Sequence, residues 1–378
     1  MSLAEKLGQL FMVGFDGTEV TPDLGAWMAT YGWGGVIIFG RNVASPTQLR
    51  ALTRDLQAAV RARGHPPLLI AVDQEGGRVA RLKAPFTAFP SMARVGQTGS
   101  EQLAYRVGEA MAGELAAVGI NMDMAPVLDV LSNPANTVIG DRAFGTDPPG
   151  VARLGTAFMH GMHAAGLLAV GKHFPGHGDT WLDSHLALPV CERTLVQLSA
   201  CELLPFQVAV AAGLEAIMTA HVIYKTWDSR LPATLSPSIL TGILRGKLAF
   251  QGVIISDDLG MAAVAETMPW GEVPVQALRA GVDLLLICHH RGRQEQAYTR
   301  VFSAVQRGEL PEALVDRAVA RIHTLKSRLR RLLRNVATPA PLACIGSPEH
   351  LALAAGVVAQ SAPEVMRRNA HGDGAGVG

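Results

Sequence analysis

The chain is expected to fold as a closed (β/α)8 barrel, and three observations lead there. Eight short, near-continuous apolar runs rich in β-branched residues recur between Leu10 and Cys288. Stretches with helical spacing separate most of them, and apolar strands alternating with helices mean a parallel sheet covered on both faces. Polar residues follow many different runs, as the single ring of loops at a barrel mouth requires. The alternative, an open doubly wound sheet, would gather them at one switch point.

The runs are residues 10–15, 35–39, 68–73, 121–128, 168–173, 216–221, 252–257 and 283–288. Each has the length of a strand, and the runs are near-continuously apolar, so they are read as buried on both faces. Helical spacing occupies residues 46–63, 101–118, 150–165, 195–212 and 237–248. The barrel is assigned to residues 1–334. Beyond Arg334 the helical pattern fades: residues 335–348 are rich in Pro and Ala, 351–365 read as one more helix, and 371–378 have the composition of a disordered tail. Residues 335–378 are therefore expected to form a partly disordered extension. There is no internal repeat and no second domain of useful size.

Composition excludes several classes. With 33 basic and 32 acidic residues, net charge +1, there is no basic excess for nucleic acid and no lysine-rich face for a membrane. No uninterrupted apolar run approaches the roughly 20 residues of a spanning helix, and the N-terminus shows no leader pattern. Cys191, Cys201, Cys288 and Cys344 are scattered without a CxxC pair, as in free thiols of a reducing cytoplasm. A cytoplasmic monomer is the expectation.

Chemistry concentrates in residues 172–185 (KHFPGHGDTWLDSH), which hold three His, two Asp and one Lys among glycines and a proline. This reads as a polar loop after the fifth strand. Other post-strand positions supply Asp73, Glu75, Arg78 and Arg81; Asp123, Asp129, Asp141 and Arg142; His221; Ser256, Asp257 and Asp258; and His289 with His290. Asp257 is the sharpest of these, since only Ser256 separates it from an apolar run. Its bland alternative is a helix N-cap, for which Asp258 is the more natural residue. In Asp183-Ser184-His185 the carboxylate can fix the imidazole tautomer, or the segment can simply brace a turn. Lys172 can hydrogen-bond a ligand, form a Schiff base, or pair with Asp73 or Asp123. Asp73, Arg81 and Arg142 can equally form a structural ion-pair network. His177 is read as bracing the loop. The histidines carry no metal-binding pattern, so neither metal nor cofactor is expected, and the paired glycines match no phosphate fingerprint.

Residues 172–185 and 252–261 (GVIISDDLGM) together resemble glycoside hydrolase family 3, and the D-x-H loop resembles its β-N-acetylglucosaminidase branch. Residues 6–17 (KLGQLFMVGFDG), 71–82 (AVDQEGGRVARL), 125–129 (APVLD), 138–145 (VIGDRAFG) and 218–224 (MTAHVIY) are similar to that branch too. The likeness runs from about Leu3 to about Lys326. It implies a barrel and a retaining mechanism, with Asp257 as nucleophile toward a terminal β-linked N-acetylglucosamine. His185 would be the acid/base, Asp183 its dyad partner, and Asp73, Arg81, Arg142, Lys172 and His173 would bind the sugar. Many relatives take the acid/base from a second domain; here the barrel loop is expected to supply it. The resemblance further implies a muropeptide fragment as glycan substrate, such as one with 1,6-anhydro-N-acetylmuramic acid, in cell-wall recycling. A β-glucosidase or an N-acetylglucosaminide phosphorylase of the same family is the alternative. A Schiff-base barrel lyase and a non-catalytic sugar-binding barrel complete the readings. The glycines around Gly176 and Gly178 suggest a mobile loop that swings His185 in.

Overall fold

A computed structural model describes residues 1–181, 188–265, 267–336 and 340–361. Eight parallel strands form the barrel: β1 Phe11–Val13, β2 Gly35–Ile38, β3 Leu69–Val72, β4 Met122–Asp123, β5 Leu168–Phe174, β6 Ala216–Thr219, β7 Val253–Ile255 and β8 Leu285–Ile287. They pair in chain order from β1 to β7, and β8 pairs back onto β1. A parallel bridge between Ile255 and Leu284 closes the ring. Seven of the strands lie within the runs read from the sequence, and β5 extends its run by one residue, to Phe174.

The β7–β8 seam has only this short ladder, and side chains reinforce it. Asp283 accepts the Ile254 N–H at 2.8 Å, and Ser256 Oγ accepts the Leu286 N–H at 2.9 Å. Burial pushes the Asp283 carboxyl up, against the opposing pull of Arg245 and Arg321, which both pair with it.

The outer layer contains α1 Leu3–Gln9, α2 Pro22–Tyr31, α3 Pro46–Arg61, α4 Glu101–Ala117, α5 Pro148–Ala164, α6 Leu203–Ala211, α7 Glu272–Ala280, α8 Arg291–Gln306 and α9 Glu312–Asn335. Local chemistry sets their starts. Ser45, Ser100 and Asp147 accept an N–H from the first turns of α3, α4 and α5, and Pro46 and Pro148 stand where no N–H is needed. Between β6 and β7, Ser238–Lys247 is a helix with the wider π hydrogen-bond pattern. The single helix expected over 195–212 is two, Leu195–Ala200 and α6. Pro205 sits in the first turn of α6, where its missing N–H is tolerated, and a helix running straight through would lose that bond.

Residues beyond the barrel return to it. Within 340–361, α10 (Pro348–Ser361) buries Leu353, Ala354 and Val357 and contacts α4. Glu114 of α4 anchors the segment through the Gly346 N–H and His350 Nδ1. The stretch Leu342–Ser361 is long and apolar enough, at mean hydropathy 1.4, to meet the criterion for a membrane-crossing helix, a pattern not expected from the sequence reading. Here a 3-10 turn and α10 divide it. The tail at 371–378 lies outside the described residues.

Candidate active site

The C-terminal ends of the strands surround a cavity of about 230 Å3 lined by Asp73, Glu75, Arg81, Arg142, Lys172, His173, His177 and Asp257 among others. All six described residues of the expected site thus meet in one place, brought by four different strand ends, as barrel geometry dictates. Asp183 and His185 lie outside the described residues.

Lys172 is 1% exposed, on the last part of β5, and its ammonium meets Asp73 at 2.7 Å and Glu75 at 2.6 Å. Burial pushes this amine down, but Asp73 and Glu75 outweigh it and hold it above its ordinary value. Lys172 is therefore a fixed cation. That removes the Schiff-base lyase reading, which needs an unprotonated amine.

Glu75 is the residue sequence reasoning passed over. It is 2% exposed and accepts a two-pronged contact from Arg142, both arms at 2.8 Å, besides Lys172. Burial pushes its carboxyl up, yet Lys172 and Arg142 hold it well below the usual carboxylate range. Its signal was present: Asp73 and Glu75 are two apart in extended chain, so both face the same side. Arg81 reaches Asp73 at 3.7 Å, and its buried Nε has no partner among the described residues.

A second string runs through His173. Its Nδ1 is 2.7 Å from Asp129 Oδ2, and its Nε2 is 3.4 Å from Arg142 Nη2. Arg142 offers only donors, which matches Nε2 accepting and Nδ1–H donating to Asp129. Asp129 is fully buried and also accepts the His173 and His177 backbone N–H groups. Burial pushes Asp129 up; His173 and then His177 outweigh it and keep the carboxyl low. Sequence reasoning noted Asp129 without assigning it a role, because its partner is 44 residues away. Asp123, by contrast, accepts the Gln74 N–H on one oxygen and has no partner on the other among the described residues. Burial pushes its carboxyl well above the usual carboxylate range, against the opposing pull of the Gln74 N–H and Lys172.

Asp257 follows β7 by two residues and opens into the cavity. Burial pushes its carboxyl up, and His221, His173, the Asp258 backbone N–H and Lys172 together hold it below its ordinary value. Asp258 is the backbone brace of the pair: its Oδ1 accepts the Gly260 and Cys288 N–H groups. That leaves the Asp257 carboxylate for the cavity. His221 is buried between Thr234 Oγ1 at 2.7 Å and the Asp258 carbonyl at 3.0 Å, and burial pushes its imidazole down.

The descending limb of the β5 loop is pinned rather than loose through Trp181. Asn136 Nδ2 donates to the His177 carbonyl and Tyr224 to the Gly176 carbonyl. The His177 side chain stacks edge-on to His173, 5.9 Å between centroids, and burial with His173 lowers it to about 4. A Cβ on Gly178 would fall 1.6 Å from the Val130 carbonyl oxygen. Close packing explains that glycine; the expected swing of His185 lies outside the described residues.

An ionised carboxylate facing a cavity rimmed by fixed cations and oriented imidazoles suits chemistry on a small polyhydroxylated molecule. Residues 2–325 match the glycosyl hydrolase family 3 N terminal domain. The chain belongs to glycoside hydrolase family 3. A β-hexosaminidase of Alkalilimnicola ehrlichii is 45% identical over 290 residues, 75% of this chain and 81% of that protein. The structure of a family 3 β-N-acetylglucosaminidase from Paenibacillus superposes with a TM-score of 0.91 at 40% identity, covering 96% of this chain and 69% of the other. NagZ from Neisseria gonorrhoeae gives 0.76 at 32%, covering 94% and 98%. The chain is thus a family 3 glycoside hydrolase of the β-hexosaminidase type, built on a (β/α)8 barrel.

Proposed function

We propose that this hydrolase is a retaining exo-β-N-acetylglucosaminidase with Asp257 as its nucleophile. The observation that carries the proposal is the Asp257 carboxylate, held ionised by its surroundings and opening into a cavity with room for one sugar ring. Asp257 attacks the anomeric carbon of a terminal β-linked N-acetylglucosamine and forms a glycosyl ester. His185, paired with Asp183, gives a proton to the departing oxygen and then takes one from the incoming water. Asp73, Arg81, Arg142, Lys172 and His173 hold the sugar hydroxyls and the N-acetyl group. Glu75 and Asp129 hold the holders: Glu75 fixes Lys172 and Arg142, and Asp129 fixes His173.

The substrate assigned here is a muropeptide fragment with N-acetylglucosamine β-linked to 1,6-anhydro-N-acetylmuramic acid, met in the cytoplasm during peptidoglycan recycling by a monomeric enzyme. Similarity to NagZ and the β-hexosaminidases supports this reading. The test is turnover of 4-nitrophenyl N-acetyl-β-D-glucosaminide beside the matching β-glucoside by wild type, Asp257→Ala and His185→Ala. Hydrolysis of the N-acetyl substrate, abolished in the first variant and strongly reduced in the second, is expected. Preference for the glucoside, or release of N-acetylglucosamine 1-phosphate in phosphate buffer in place of the free sugar, would overturn it.

A further inference from the structure

The loops that follow β3 and β4 meet twice. At the base of the site Arg142 takes both oxygens of Glu75, each at 2.8 Å. At the rim the contact is made by Arg78, a post-strand residue that the reaction above does not use. Its Nε donates to Asp141 Oδ1 at 3.0 Å. Its Nη2 lies 2.7 Å from the Thr137 carbonyl, 2.7 Å from that of Val138 and 3.1 Å from that of Ile139. One guanidinium thus spans the stretch that leads into Arg142. The Val138 carbonyl is shared, since Arg142 Nη1 also donates to it, at 3.2 Å. Val138 and Arg142 line the active-site cavity, and Arg78 is not among its lining residues.

The arm that carries Arg78 is stiff. Two short antiparallel strands, Gln74–Gly76 and Val79–Ala80, form a hairpin with Arg78 in its turn. The side-chain amide of the buried Gln74 closes it: Oε1 accepts the Arg81 N–H at 2.9 Å and the Leu82 N–H at 3.1 Å, and Nε2 donates to the Leu82 carbonyl at 3.3 Å. The Phe89 carbonyl accepts the Gly77 N–H, and a Cβ on Gly76 would fall 2.6 Å from the Pro90 carbonyl oxygen. By contrast, the one regular element between β4 and α5 is the 3-10 turn Gly140–Arg142. The hairpin is therefore the firmer partner, and Arg78 passes its position on to the loop.

A surface arginine beside one aspartate would carry little. Arg78 and Asp141 are 47% and 48% exposed, and such pairs are weak. Three successive carbonyls gathered on one cation are a different arrangement. These bonds are charge-assisted, and a planar guanidinium offers donors in directions that an ammonium does not. The loop has other anchors too. Asn136 accepts the Ile139 N–H on its side chain and the Gly140 N–H on its carbonyl. Loss of Arg78 thus shifts the loop without melting it.

We infer that Arg78 is a positioning residue, which sets Arg142 and Val138 against the sugar from outside the cavity by holding the loop backbone; this rests on the hydrolase reading above and adds the group that places Arg142. The test is turnover of 4-nitrophenyl N-acetyl-β-D-glucosaminide by wild type, Arg78→Gln and Arg78→Gly, with urea unfolding to check that both variants fold. In Arg78→Gln kcat/KM is expected to fall about tenfold, short of the roughly 100-fold of a 1 Å displacement because Glu75 still holds Arg142. The fall should lie in KM, with kcat within about threefold, since binding of the ring is lost and the nucleophile is untouched. Arg78→Gly leaves a slot open to solvent. Low, non-denaturing guanidinium chloride should restore its KM at least about threefold relative to wild type in the same solution, and equal sodium chloride should not. An unchanged KM in Arg78→Gln overturns the positioning role. So does a fall in kcat at constant KM, which is the mark of fewer folded molecules, and so does equal recovery in both salts. Each of these leaves the hydrolase standing. Failure of wild type to cleave the substrate overturns the hydrolase reading and the role of Arg78 together.

Discussion

Glu75→Gln removes one charge from the centre of the cation cluster. In the native protein Glu75 neutralises Lys172 at 2.6 Å and Arg142 at 2.8 Å, with side-chain exposures of 1%, 2% and 11%. Breaking a buried pair from one side costs about 3–5 kcal/mol, because the surviving charges stay buried. Gln keeps one acceptor oxygen and Asp73 still holds Lys172, so the lower end, about 3 kcal/mol, is expected. Activity suffers too: Lys172 and Arg142 lose their shared anchor, and a displacement of about 1 Å at a binding group costs about 100-fold in kcat/KM. Stability is read by urea unfolding under tryptophan fluorescence, activity by aryl N-acetylglucosaminide turnover. The pH dependence carries a sign. The Glu75 carboxyl sits below its unfolded value of 4.5, so its stabilisation is fully present above that value and is lost as pH falls toward the folded one. The gap between wild type and variant should be flat between about pH 6 and 8 and close below about 4.5. A Glu75→Gln protein as stable as wild type within about 0.5 kcal/mol, with unchanged kcat/KM, would refute the reasoning.

Asp129→Asn keeps the shape but replaces an acceptor of the His173 Nδ1–H by an amide that can also donate; kcat/KM should fall at least about tenfold, and an unchanged value counts against the orienting role. Lys326 is 5% exposed, with Nζ bonded to Gln9 Oε1 at 2.7 Å, and burial, then Arg330, lowers it from 10.5 to about 7. The unfolded chain therefore binds the extra proton between those values, and wild-type stability should rise as pH goes from 7 to 10.5. Lys326→Met should remove most of that slope and stabilise the protein at pH 7 by about 3 kcal/mol, read by urea unfolding; a slope equal to wild type contradicts it. Gly178→Ala would drive a methyl into the Val130 carbonyl and should destabilise by about 3 kcal/mol or more in the same assay, whereas a neutral result would show that the limb yields.

The barrel was legible because its strands are buried on both faces. Each therefore appears as an apolar run, and the polar residue ending each run lies at the mouth. That rule brought Asp73, Lys172, His173 and Asp257 together correctly. It was blind to residues that act through others. Asp129 looks like any loop acid until the fold sets His173 against it, and Glu75 competes with Asp73 two positions earlier. The roles left open for Lys172 were decided by the two carboxylates that face it, which come from another strand's loop. The glycines at 176 and 178 read as marks of a mobile loop, because a sequence shows conformational freedom and not the Val130 backbone that a Cβ on Gly178 would strike. The part played by Arg78 was out of reach for the same reason: the carbonyls it gathers are backbone groups 59 to 61 positions further on, and they leave no mark in a sequence.

The most direct test of the central claim is labelling with 5-fluoro-N-acetylglucosaminyl fluoride, followed by peptide mapping and proton NMR of the first product formed from an aryl N-acetylglucosaminide. The account requires one sugar residue bound to the peptide containing Asp257 and the β-anomer of N-acetylglucosamine as the first product, as retention through a glycosyl ester demands. An unlabelled Asp257 peptide, with the α-anomer released first, would contradict it.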